Sequence, residues 1–93
     1  PLMMASKKYR GLQTVRLLVA RGADVNGVDQ YGRTALIMAA RYGRTEIIRF
    51  LLSRGANPNA ESIMQKWKNP MIAAKLRGHD EAVALLQEAG AAK

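Results

Sequence analysis

Residues 29–60 read DQYGRTALIMAARYGRTEIIRFLLSRGANPNA, and this stretch decides the fold. It holds two short apolar segments, each followed by a glycine, at Gly43 and Gly55. Thr34 is a good N-cap residue directly before the first segment, and a glycine just past a helix end takes the left-handed conformation that helix C-termini favour. The stretch therefore predicts two short helices that follow a hairpin-like loop.

The same pattern recurs on both sides of this stretch. Copies of the first apolar segment begin at residues 1, 35 and 70. Copies of the second begin at residues 15, 48 and 83, and each is followed by a Gly-Ala pair. Two blocks that recur in one register indicate three copies of a structural unit. We assign a single domain, 1–93, with repeat 1 over about residues 1–28, repeat 2 over 29–63 and repeat 3 over 64–93.

Each unit needs its neighbours in order to fold. Small residues on the first helix, such as Ala39, Ala40, Ala73 and Ala74, permit close approach of the next helix. The Leu, Ile and Val side chains of the second helix supply an apolar stripe that one helical pair cannot bury alone. Stacking buries these stripes in a continuous core, so we expect a solenoid of helical pairs.

The segment from Asp29 to Leu36, the pair Ala39-Ala40 and the tail 51–60 resemble one complete ankyrin repeat. The resemblance implies an all-α ankyrin-repeat solenoid of stacked helix-turn-helix units with short β-hairpin-like loops. Repeat 1 lacks its opening hairpin, and the start at Pro1 suggests a piece of a longer chain. The histidine usual in the family's first helix is Met3, Ile37 or Ile72 here, so the inter-repeat hydrogen bonds that it implies are expected to be missing.

Composition argues against catalysis and against a cofactor. The chain has no cysteine and one histidine, so material for a metal site is scarce. The only adjacent carboxylates, Asp80 and Glu81, suit the first turn of a helix, where negative charge complements the helix dipole. His79 follows Gly78 as in the family, where the resemblance implies a structural role between two helices. We therefore expect no catalytic residue, no bound metal and no cofactor.

The candidate binding face is basic and aromatic. In ankyrin-like stacks partners are met by the hairpin tips and by the exposed side of the first helices. The matching residues here are Tyr31, Arg33, Arg41, Tyr42, Lys66, Trp67, Lys68 and Arg77. Arginine forks pair with carboxylates and flat rings bury large areas, so these types suit an interface. The alternative is that Tyr31 and Trp67 pack on a neighbouring loop and the lysines are simply solvated; for Trp67 both interpretations stay open.

Fifteen Lys and Arg residues against seven Asp and Glu give a net charge of +8, which attracts acidic partners. We expect a non-catalytic module that binds an acidic or extended segment of another protein. The alternatives are electrostatic binding to nucleic acid or an anionic surface, or the positioning of a catalytic domain in a larger enzyme. On the second helices, Arg16 and Arg49 are expected to face outward, with Glu46 close enough along the helix to pair with Arg49.

Location and assembly follow only from general features of the sequence. We expect a cytoplasmic or nuclear protein, because cysteine, a signal-peptide pattern and an apolar run of about 20 residues are all missing from the sequence. A monomer is favoured.

Overall fold

Five helices make up the ordered elements of residues 11–63 and 68–90, which are the parts of the chain that the structure, a computed structural model, describes. Their bounds are α1 Leu12–Ala20, α2 Ala35–Arg41, α3 Thr45–Ser53, α4 Pro70–Leu76 and α5 Asp80–Glu88. The described ranges contain no strand, so the predicted all-α class is confirmed. Helix α1 is the second helix of repeat 1, while α2 with α3 and α4 with α5 form the pairs of repeats 2 and 3.

The first helices begin where their capping residues predict. The Thr34 hydroxyl accepts a hydrogen bond from the Ile37 backbone N–H at 3.2 Å, ahead of α2. The Asn69 side chain accepts one from the Ile72 N–H at 2.8 Å, ahead of α4, and Pro70 occupies the first turn. Each cap satisfies a backbone donor that the first turn of a helix leaves without a partner.

The first helices form an inner layer in which α2 packs against α4. Ala39, Ala40, Ala73 and Ala74 are all fully buried, as expected for residues that let two helices approach closely. In the second layer α3 lies between α1 and α5 and contacts both. The largest buried side chains come from both layers: Leu36, Ile37, Ile47, Ile48, Leu51, Met71 and Leu86. The core is therefore shared between repeats and belongs to no single helical pair.

Asparagine side chains join successive repeats at the turns after the second helices. Asn26 accepts a hydrogen bond from the Asn57 N–H at 2.7 Å and donates one to the Gly55 carbonyl at 3.0 Å. One repeat later, Asn59 donates to the Gly90 carbonyl at 3.3 Å. Asn26 and Asn59 stand at equivalent positions, and each donates to the carbonyl of the glycine that follows the second helix of the next repeat.

His79 adds a polar link between repeats 2 and 3. Its Nε2 lies 3.0 Å from the backbone oxygen of Arg41, and because a carbonyl can only accept, Nε2 carries the proton. The resemblance implied a role between two helices, and the structure identifies one of the partners as the end of α2 in the preceding repeat. His79 and Asn26 therefore supply inter-repeat hydrogen bonds although the usual first-helix histidine is missing.

Gly43 ends the turn after α2 with φ +66°, and its equivalent Gly78 ends the turn after α4 with φ +69°. A Cβ at Gly43 would lie 2.6 Å from the Nδ1 of His79, whereas a Cβ at Gly78 would meet no atom within 4 Å. The two glycines thus share a backbone conformation and differ in what surrounds them.

We predict that Gly43→Ala destabilises the fold more than Gly78→Ala. Both substitutions place a side chain in the left-handed region, at a cost of about 1–2 kcal/mol. Only Gly43→Ala also displaces His79 from the Arg41 carbonyl, which adds ~0.5–1.5 kcal/mol. Urea unfolding of the two variants and the parent measures the difference; equal losses would contradict the inter-repeat role of His79.

Candidate functional site

The loop before α2 is held by one carboxylate. The Asp29 Oδ1 accepts hydrogen bonds from the backbone N–H groups of Tyr31 and Arg33, each at 2.9 Å. Its Oδ2 lies 2.6 Å from the Nε of Arg33, in an ion pair whose two side chains are each about one-fifth exposed. The loop closes further through the Gly32 N–H, which donates to the Asp29 carbonyl at 2.9 Å. These bonds fix the backbone that presents Tyr31.

The surroundings of Asp29 lower the pKa of its carboxyl group. Burial is the largest single influence and favours the neutral acid, which would raise the pKa. The hydrogen bonds from Arg33 and Tyr31, together with the charge of the Arg33 guanidinium, outweigh burial because they stabilise the carboxylate. Asp29 is therefore ionised at neutral pH, and much of the positive charge of Arg33 is already balanced within the loop.

Tyr31 and Ile63 form an exposed apolar edge where the loops of repeats 2 and 3 meet. The Ile63 backbone N–H donates to the Tyr31 carbonyl at 3.0 Å, so the two residues lie side by side. Tyr31 is 39% exposed and Ile63 is 71% exposed. The Arg33 guanidinium lies 5.1 Å from the centre of the Tyr31 ring, which positions the ring further. We call this pair the loop edge.

Arg41 and Tyr42, at the end of α2, are half-buried and bonded to each other. The Arg41 Nη1 donates to the Tyr42 hydroxyl at 3.1 Å, and the guanidinium lies 5.1 Å from the centre of the ring. The Arg41 carbonyl also accepts a hydrogen bond from His79, so Arg41 takes part in the junction with repeat 3 through its backbone. Arg41 and Tyr42 both remain partly exposed to solvent.

Lys68 and Arg77 are placed by repeat 3. The Lys68 Nζ lies 3.8 Å from a carboxylate oxygen of Glu61, with both side chains substantially exposed, so this pair contributes little to stability. Arg77 follows α4 directly, is exposed, and stands where Tyr42 stands one repeat earlier. Lys66 and Trp67 lie outside the described residues, so both interpretations of Trp67 stay predictions.

The sequence interpretation missed Ile63 as a partner of Tyr31. The only signal was an apolar residue in a connection of mixed polarity, and its proximity to Tyr31 depends on how the repeats stack.

Exposed Ile72 and Leu76 lie on one side of α4. Ile37, the equivalent of Ile72, is fully buried because it lies on α2, which packs against α4. Ile72 is exposed because α4 is the last first helix of the described stack and has no further one beyond it.

The described residues also bear on metal binding and on membrane crossing. No group of three or more His, Cys, Asp or Glu residues in 11–63 and 68–90 is arranged to hold a metal ion. None of the five helices has both the length and the apolar character that a bilayer crossing needs.

Comparison with known proteins gives the same fold. The family described as ankyrin repeats (3 copies) matches residues 1–62. Human cyclin-dependent kinase 4 inhibitor B is 36% identical over 89 residues, which cover 95% of this chain and 63% of the inhibitor. Human palmitoyltransferase ZDHHC17 is 37% identical over 94 residues, which cover 100% of this chain and 15% of the enzyme.

A further relative is glycerophosphocholine phosphodiesterase gde1 of Schizosaccharomyces pombe. It is 39% identical over 77 residues, which cover 83% of this chain but only 7% of the enzyme. The chain thus spans a small part of each of these two enzymes, and the similarity lies in their repeat regions. Such a repeat region is a non-catalytic module.

We predict that Asp29→Asn lowers the free energy of unfolding at pH 7 by roughly 0.5–1.5 kcal/mol, the range of a typical hydrogen bond. Because the folded pKa of Asp29 is lowered, its contribution is complete above the unfolded carboxyl pKa of about 3.9 and is lost as pH falls through the folded pKa. Urea unfolding between pH 7 and pH 3, roughly, follows the difference between parent and variant.

The control for this experiment is Glu46→Gln. Glu46 is exposed and makes no ion pair within the described ranges, so this variant removes the same charge and, with it, only the favourable interaction of that charge with the first turn of α3. A difference between parent and Asp29→Asn that persists undiminished at the acid limit would rule out the proposed role of the carboxylate.

Proposed function

Because this chain belongs to the ankyrin-repeat family, we propose that it is a non-catalytic module that binds another protein through the loop edge and the adjoining ends of the first helices. One observation carries the proposal: Tyr31 and Ile63 hold large apolar surfaces in solvent on a backbone that hydrogen bonds have already fixed. A fixed aromatic and aliphatic pair loses little entropy when a partner covers it. One relative is named as an inhibitor of a protein kinase, which agrees with a protein as the partner.

The charges around the loop edge favour an extended, acidic segment. Arg33 is balanced by Asp29 and Lys68 lies near Glu61, so these two cations add little attraction of their own. Lys75 and Arg77 are exposed on repeat 3 and make no ion pair among the described residues. An acidic residue of the partner would pair with them, while an apolar side chain packs on the loop edge. The exposed parts of Arg41 and Tyr42 add to this proposed binding surface.

A second candidate is a role inside a longer polypeptide. Two relatives are enzymes of which this chain matches only a small part, so a repeat region of this kind also occurs beside catalytic domains. In that case the loop edge would hold another domain of the same protein. The proposal places the module, as a monomer, in the cytoplasm or nucleus, where such partners occur.

The expected specificity can be tested by selecting binders from a random peptide library displayed on phage. We predict enrichment of peptides that combine acidic residues with an aromatic or large aliphatic residue. Tyr31→Ala combined with Ile63→Ser should weaken the binding of a selected peptide by about tenfold or more, as expected when interface anchors are removed. Fluorescence anisotropy of the labelled peptide gives the affinity.

Leu17→Ser is the matched control, because Leu17 is half exposed on α1 and lies away from the loop edge in sequence. It should leave peptide affinity unchanged, and circular dichroism should show that all variants fold. Selected peptides that bind the double variant as tightly as the parent would refute the loop edge as the binding surface.

A further inference from the structure

The outer helices of repeats 1 and 2 carry arginines at equivalent positions. Arg16 on α1 corresponds to Arg49 on α3, and Arg21 after α1 corresponds to Arg54 after α3. We call these four residues the arginine quartet. The corresponding positions of repeat 3 are Ala84 and Ala89, so the pattern stops there.

All four guanidinium groups are exposed and lack acidic partners. None makes an ion pair with a described residue, and the expected pair between Glu46 and Arg49 does not form. Arg16 and Arg54 both lie against the ring of Phe50, at 5.3 and 5.5 Å from its centre. This shared contact brings charges from two neighbouring helices together on one surface.

Helix stability explains only half of the arginine quartet. Arg21 and Arg54 are C-cap residues, where a positive charge complements the helix dipole. Arg16 and Arg49 stand in the middle of their helices, where the dipole offers no such advantage. Glu46 and Glu81 line the same open cleft as Arg16 and Arg49 but form an ion pair with neither. Two cations without an ion pair at matching mid-helix positions therefore point to an external anion.

An exposed leucine lies beside these charges. Leu17 is 50% exposed, follows Arg16 directly and precedes Arg21 by one helical turn. It corresponds to Phe50 of the next repeat, which the two guanidinium groups cover. An apolar side chain set among arginines suits a surface that offers anionic groups above an apolar layer.

The acidic end of the stack limits the size of this surface. Asp80, Glu81 and Glu88 make α5 negative on exposed positions, so the positive surface is confined to α1 and α3. Each of these helices has nine residues and is thus about 14 Å long. A surface of this length can contact only a few nucleic-acid phosphates. Arg16 and Arg54 already cover the Phe50 ring, so it offers no surface on which bases could stack.

We propose that the arginine quartet and Leu17 form a docking surface for an anionic phospholipid membrane. Guanidinium forks bind the phosphates and carboxylates of lipid headgroups, and Leu17 enters the boundary of the acyl layer. The surface shares no residue with the loop edge, so membrane docking and peptide binding are separable.

Vesicle co-sedimentation of the full chain tests the proposal with phosphatidylcholine vesicles that contain or lack phosphatidylserine. The parent should bind only the vesicles with phosphatidylserine. Arg16→Ala combined with Arg49→Ala should weaken this binding about thirtyfold, since each arginine near an anionic surface contributes about fivefold. Leu17→Ser should weaken it as well, without affecting the affinity for a selected peptide.

The matched control is Lys75→Ala combined with Arg77→Ala, which removes the same net charge from exposed positions of repeat 3. It should weaken vesicle binding far less than Arg16→Ala combined with Arg49→Ala does. The proposal is overturned if the parent does not bind vesicles with phosphatidylserine or if the two double variants lose binding equally. It is also overturned if a short DNA duplex binds the quartet more tightly than the vesicles do at the same salt concentration.

Discussion

The close packing of α2 against α4 is the contact on which the rest of this structure depends. Fully buried alanines on both helices let the backbones approach, and the large apolar side chains of the second helices then close the core from the other layer. A single helical pair would leave these surfaces in water, so the pairs fold by stacking. The spacing of the inner helices also sets the spacing of the loops, which is why the Ile63 N–H reaches the Tyr31 carbonyl.

Polar groups then fix the register between neighbouring repeats, which apolar packing alone does not specify. Asn26, Asn59 and His79 each hydrogen bond to the backbone of the next or preceding repeat. Asp29 hydrogen bonds to the backbone of its own loop, at Tyr31 and Arg33. The result is an edge whose backbone is ordered before any partner arrives, and such an edge can hold Tyr31 in solvent without collapse onto its own surface. The proposed binding edge is thus a consequence of how the repeats are joined.

Much of the fold could be predicted because its signals are local. Thr34, Asn69 and Gly43 act on their own helix ends, and the alanines recur with the period of the repeat. Two of the missed features depend on distances between repeats. The bond from His79 to Arg41 and the bond from Ile63 to Tyr31 each join residues far apart in the chain. Likewise, the neutralisation of Arg33 required the geometry of a loop and not that of a helix.

Native-state hydrogen exchange of the intact chain tests most directly whether contact between repeats holds the fold. If it does, the backbone amides within α2, α3, α4 and α5 will open with one shared free energy, equal to that of global unfolding by urea. The account would be contradicted if the amides of α4 and α5 exchanged through a separate, much easier opening while those of α2 and α3 stayed fully protected. In that case the repeats would fold independently, and the packing of α2 against α4 would be incidental to stability.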